Sequence, residues 1–117
     1  MRVTDPIVVH EWLGAHSAEI AIVVPPDLAF TEGHFPGMPI VPGVVQLKWA
    51  IDLARLRLGV TGRFAGCESL KFQRLLTPGD RATLKLEHVE ATGRLAFSYE
   101  STDGRYSTGR ALLSPVR

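Results

Sequence analysis

A chain of 117 residues, 45% of them apolar and 21% charged, is long enough to bury one core and leaves little room for a second, so residues 1–117 are expected to form one domain. A formal net charge of +1 makes no case for nucleic acid. A single cysteine, Cys67, rules out an intrachain disulfide and fits a reducing compartment. The N-terminus shows no basic head followed by an apolar run, and no stretch reaches about 18 uninterrupted apolar residues, so a cytoplasmic chain without a membrane span is expected.

Residues 1–17 hold Ile7-Val8-Val9 followed by His10, Trp12 and His16, which reads as an edge strand or an irregular entry segment. Neither His10 nor His16 has Cys, Asp or Glu at ligand spacing, so surface or packing roles are expected for both. Glu19 to Val24 is β-branched and apolar, the pattern of a strand buried on at least one face, and Pro25-Pro26-Asp27 ends it because proline cannot donate to a ladder.

Residues 30–43 form a loop dense in proline and glycine around His34, with Phe30 and Phe35 expected to pin it and Glu32 as either a histidine partner or a solvated acid. Directly behind Pro42-Gly43, apolar residues run from Val44 to Leu58, long enough for about four helical turns. The apolar positions lie nearly all round, which predicts a helix buried on most sides, with Lys48, Asp52 and Arg55 at i, i+4 and i+7 as one polar stripe. Gly59 supplies the stop. A helix opening at Gly43 aims unpaired N–H groups and its positive dipole end forward, and a titratable ring nearby suits polarising a carbonyl and moving a proton.

Four strand-like segments follow, at 64–75, 82–90, 94–101 and 106–113, separated by Pro78-Gly79-Asp80, Ala91-Thr92-Gly93 and Thr102-Asp103-Gly104. Residues 83–89 alternate with period two, which places His88 on the solvent-facing phase. Cys67 has no motif around it and reads as an inert buried side chain. One helix and then a meander of strands gives an α+β class, a sheet layered on a helix.

Two stretches carry a family resemblance. Gly33-His34-Phe35-Pro36-Gly37-Met38-Pro39-Ile40-Val41-Pro42-Gly43-Val44 resembles the signature of the hotdog-fold β-hydroxyacyl-thioester dehydratases, and Leu70-Lys71-Phe72-Gln73-Arg74-Leu75-Leu76-Thr77-Pro78-Gly79-Asp80 is similar to a strand and Pro-Gly-Asp turn of the same family. Val45-Gln46-Leu47, Trp49 and Ala50 look closer to the branch found in aryl-polyene pigment pathways. The likeness covers roughly residues 18–113. It implies an antiparallel sheet wrapped around one central helix, a dimer of two such sheets, and dehydration of 3-hydroxyacyl thioesters in fatty-acid or polyene synthesis. It also implies roles: His34 as the base at C2, and the Gly43 amide as donor to the thioester oxygen. Phe35, Pro42, Gln46, Trp49 and Asp52 are then candidates for contact with substrate.

The family's third part is an Asp or Glu fourteen residues after the histidine, and here that position is Lys48. Either a desolvated lysine with a lowered pKa donates to the leaving hydroxyl, or Lys48 pairs with Asp52 one turn on, or Asp52 itself supplies the acid. A cation early in a helix opposes the dipole, so a substrate anion is another reason to place one there. Gln46 reads equally as a substrate contact or as support for the loop backbone, and Trp49 as a tunnel wall or as core. Lys71, Arg74, Arg55 and Arg57 read as a basic rim for an acyl carrier protein or coenzyme A, or as scattered charges. No metal or other cofactor is expected. Three functions follow: a dehydratase, a thioesterase on the same fold, or an acyl-thioester-binding subunit of a hotdog heterodimer whose partner brings the acid.

Overall fold

A computed structural model of the chain describes residues 4–27 and 40–114. The helix expected behind the loop is α1, Gly43–Leu58. Pro42 precedes it at φ −58°, preset for entry, without a side-chain cap, and Gly59 ends it in the left-handed region at φ 65° with its N–H on the Ala54 carbonyl. Arg55 and Arg57 in the last turn complement the negative end of the dipole.

Six strands surround it: β1 (Ile7–Leu13), β2 (Ser17–Val23), β3 (Arg63–Phe72), β4 (Arg81–Val89), β5 (Arg94–Ser101) and β6 (Gly104–Ser114). They make one antiparallel sheet in the order β1-β2-β4-β5-β6-β3. The entry segment is thus an edge strand, and β3 leaves α1 to form the opposite edge. Period-two patterning holds where it was read: Ala82, Leu84 and Leu86 of β4 face the helix and are buried.

The register lines up one lateral row, Glu11, Ile20, Leu84, Tyr99, Ser107 and Phe72, each opposite the next. Directly opposed residues share a face, so this row lies under α1. Ile20, Leu84, Tyr99 and Ser107 are fully buried. At one end Phe72 meets Gly43, and at the other Arg57 Nε donates to Glu11 Oε2 at 2.6 Å. Six strands about 4.8 Å apart and sixteen helical residues both span about 24 Å, so the helix matches the width of the sheet it must cover.

The helix is buried on most sides through Val45, Gln46, Trp49, Ala50, Ile51, Leu53 and Ala54, and its open flank is wider than the polar stripe, with Val44 73% and Leu56 72% exposed. The structure corrects two expectations. Cys67 is exposed, not buried, because β3 is an edge strand with a mostly exposed surface. His88 is half-buried and not solvent-facing, because it shares the inward phase of Leu84 and Leu86 on β4. Among the described residues no helix is long and apolar enough to cross a membrane.

Candidate active site at the start of the helix

The site is assembled by backbone bonds between the two stretches that carry the family resemblance. Val41 N–H donates to the Leu76 carbonyl at 2.7 Å, and the Val41 carbonyl accepts from Gln46 Nε2 at 3.1 Å. Residue 41 is therefore fixed from both sides just before Pro42 sets φ and Gly43 opens the helix. The Leu76 end is itself clamped. Asp80 Oδ2 accepts from Thr77 N and Oγ1, Gly79 N–H donates to the Val24 carbonyl, and Val24 N–H donates to Asp80 O. The Pro42 carbonyl accepts from the amides of Val45 and Gln46. Among the described residues the Gly43 and Val44 amides have no acceptor, as the first turn of a helix dictates.

Gly43 is glycine for a reason of space. It is not among the residues with positive φ, so its conformation is open to any residue. A Cβ there would stand 2.6 Å from Cζ and 2.8 Å from Cε1 of Phe72. Phe72 went unnoticed as a site residue because its place depends on the β3–β6 register, which opposes it to Ser107.

Gln46 is 3% exposed, and its side chain is engaged at both ends. Nε2 donates to Val41 O, and Oε1 accepts from Ser107 Oγ at 2.6 Å. Its own carbonyl accepts from Tyr99 Oη at 2.6 Å. Burial, with a smaller push from the Asp52 carboxylate, raises the Tyr99 phenol well above its ordinary pKa, so it remains a donor. Of the two readings open in the sequence, support of the loop backbone is the one this geometry favours.

Lys48 lies on the open flank. Its Nζ meets Asp52 Oδ2 at 2.5 Å, the two side chains being 58% and 45% exposed. The hydrogen bond that Lys48 donates to Asp52 raises the lysine pKa against a lowering by slight burial, and charge attraction to Asp52 and Asp5 adds to the rise. In the single chain Lys48 is thus paired and exposed, not desolvated. Trp49 is buried, with Nε1 donating to Thr4 O at 3.0 Å. It nevertheless shares with Asp52, Pro6, Leu53 and Leu56 a cleft of about 500 Å³ along the helix. The basic rim is largely absorbed by the fold. Arg55 donates to Gly62 O, Arg57 pairs with Glu11, and Arg74 donates to Ser101 Oγ and Gly104 O. Arg74 Nε is buried and has no partner among the described residues, while the guanidinium lies 4.2 Å over the Tyr106 ring. The structure thus brings together Pro42, Gly43 and Gln46 at the helix start and Trp49 with Asp52 in the cleft. His34 and Phe35, with Phe30 and Glu32, lie outside the described residues.

A family model described as ApeI-like, ApeI dehydratase, matches residues 11–110. The chain belongs to the ApeI-like dehydratase family. It is 34% identical over 97 residues to a 3-hydroxyacyl-[acyl-carrier-protein] dehydratase FabZ of Oenococcus oeni, covering 75% of this chain and 70% of that protein. A FabZ of Acetivibrio thermocellus is 48% identical over 65 residues, which is 50% of this chain and 43% of that protein. Among solved structures, a chain of the dehydratase heterocomplex ApeI:P from Xenorhabdus doucetiae superposes with a TM-score of 0.87 at 34% identity, over 95% of this chain and 99% of that one. A protein from Erwinia carotovora gives 0.82 at 31%, over 95% and 97%. The architecture of this ApeI-like chain, an antiparallel sheet wrapped on one helix, is the hotdog fold.

Two outcomes follow from this geometry. Gln46→Leu leaves the Val41 carbonyl and the Ser107 hydroxyl without a partner in the interior and lowers stability by about 2–4 kcal/mol, read by urea denaturation. A lysine pKa raised by folding means that the Lys48–Asp52 pair is fully formed at neutral pH and lost only as pH climbs through the folded value. An NMR titration of Lys48 therefore gives a pKa above 10.5, and Asp52→Asn brings it down; a wild-type value below 10.5 contradicts the pair.

Proposed function

We propose that this ApeI-like chain dehydrates 3-hydroxyacyl thioesters carried on acyl carrier protein or coenzyme A in the cytoplasm, with its site completed by a second hotdog subunit. The observation that carries the reading is the Gly43 amide, held at a helix N-terminus by the Val41 bonds to Leu76 and Gln46 and without an acceptor among the described residues. Such a group stabilises an oxygen as negative charge builds on it. His34 takes the C2 proton, and the resulting enolate charge rests on the thioester oxygen at the Gly43 N–H. The C3–O bond then breaks and the hydroxyl leaves with a proton as water, giving the enoyl thioester. The cleft beside Trp49, Leu53 and Leu56 is proposed to take the acyl chain.

The leaving hydroxyl needs an acid, and the Lys48–Asp52 pair leaves this chain's own helix without a free one at the family's position. We therefore assign the acid to a partner subunit, in keeping with a relative solved as a heterocomplex. Val44 and Leu56 on the open flank, and Phe64, Leu70 and Leu75 in and beyond the β3 edge, are the exposed apolar surface such a partner would cover. A homodimer uses the same surface but supplies only Lys48. The same pair supports a second reading, an acyl-thioester-binding subunit without turnover.

Mass spectrometry of 3-hydroxyacyl pantetheine thioesters separates these readings. Water loss is expected when the chain is combined with an acid-bearing hotdog subunit, and His34→Ala in this chain lowers it by about 10²–10⁴-fold. Lys48→Glu places a carboxyl beside Asp52, where like charge raises its pKa, and raises water loss by the chain alone by on the order of tenfold. Acyl hydrolysis instead points to a thioesterase, and bound but unreacted thioester in every combination points to the silent subunit.

A further inference from the structure

We infer that Phe72 is a positioning residue for the Gly43 amide, an inference that rests on the dehydratase reading. The ring meets the helix end-on. A Cβ at Gly43 would fall 2.6, 2.8 and 3.3 Å from its Cζ, Cε1 and Cε2 atoms, so the ring tip occupies the volume that a side chain at residue 43 would fill. The ring cannot retreat by moving its backbone. Phe72 is the last residue of β3, paired opposite Ser107, and the next two amides, Gln73 and Arg74, both donate to the Tyr106 carbonyl. Ser107 in turn holds Gln46 one turn into the helix. The oxyanion amide is thus braced from the sheet at two points, Phe72 at the first residue and Ser107 at the fourth.

Packing alone does not call for this arrangement. Gly43 opens α1 without a positive φ, so alanine is open to it in conformation, and a smaller side chain at 72 would give that alanine room. The ring is also 53% exposed beside the helix start, so it presents apolar surface there. A thioester oxygen bound at Gly43 N–H would have its acyl carbon against this surface. Phe72 therefore sets the geometry in which the amide meets the oxygen, a factor felt most in the transition state.

The test uses the full chain, with the partner subunit where wild-type turnover requires it, as wild type, Phe72→Leu, Gly43→Ala and the double variant. Phe72→Leu is expected to melt within a few degrees of wild type, to lose about ten- to a hundredfold in kcat for water loss, and to keep KM within about threefold. Gly43→Ala is expected to lower the melting temperature through the clash. Adding Phe72→Leu restores that temperature but not kcat. The 15N order parameter of the Gly43 amide, read by NMR in the absence of substrate, is expected to fall from about 0.85 towards about 0.6 in Phe72→Leu with later α1 amides unchanged. Wild-type kcat in Phe72→Leu, recovery of kcat in the double variant, or an unchanged Gly43 order parameter overturns the inference. Absence of water loss by the wild type instead overturns the dehydratase reading, and the order parameter still decides the role of Phe72.

Discussion

A buried amide side chain in the first turn of α1 holds the whole site together. Gln46 touches the loop, the helix and the sheet at once: Val41 through its donor, Ser107 through its acceptor and Tyr99 through its backbone carbonyl. Neither natural neighbour of glutamine can replace it. Glutamate has no donor for the Val41 carbonyl and would bury a charge, and leucine would leave two polar groups unpaired where water cannot reach them. Because the same contacts fix residue 41, they also fix Pro42 and the direction of the Gly43 amide. Stability and the candidate oxyanion site therefore share one hydrogen-bond network.

The opposite flank of the helix follows a different logic. Val44 and Leu56 leave apolar surface in solvent, and between them stands an ion pair whose lysine opposes the helix dipole. Exposed pairs of this kind contribute little to stability, so the pair is not what holds the helix. The place where the resemblance puts an acid holds its lysine, and that lysine engages the carboxyl of Asp52 one turn on. An open apolar flank and an occupied acid position both point outward to a second subunit.

Much of this was legible in the sequence, and the remainder has a physical reason for being hidden. The helix limits were readable from Pro42, Gly43 and Gly59, whose effects are local, and the strands from period-two patterns and glycine turns. The Lys48–Asp52 pair was readable because i, i+4 spacing on a helix is itself a distance. The open flank was not, since Val44 and Leu56 look the same in sequence whether a sheet or another subunit covers them. Cys67 came out exposed because β3, though early in the order of strands, is placed last in the sheet. Ser107 and Phe72 are tied to Gly43 and Gln46 by cross-strand register over more than 25 residues of chain, which no local pattern encodes. The arginines read as a rim turned inward to carbonyls and to Glu11 for the same reason.

The central claim, that the Gly43 amide receives the thioester oxygen, is tested most directly by NMR of labelled protein titrated with an enoyl-pantetheine thioester, the product of the proposed reaction. The account predicts that the Gly43 amide proton moves downfield, more than any other amide of the helix, as it gains a charge-bearing acceptor. A titration that saturates with the Gly43 amide unmoved, and with the shifts gathered elsewhere on the sheet, would contradict it.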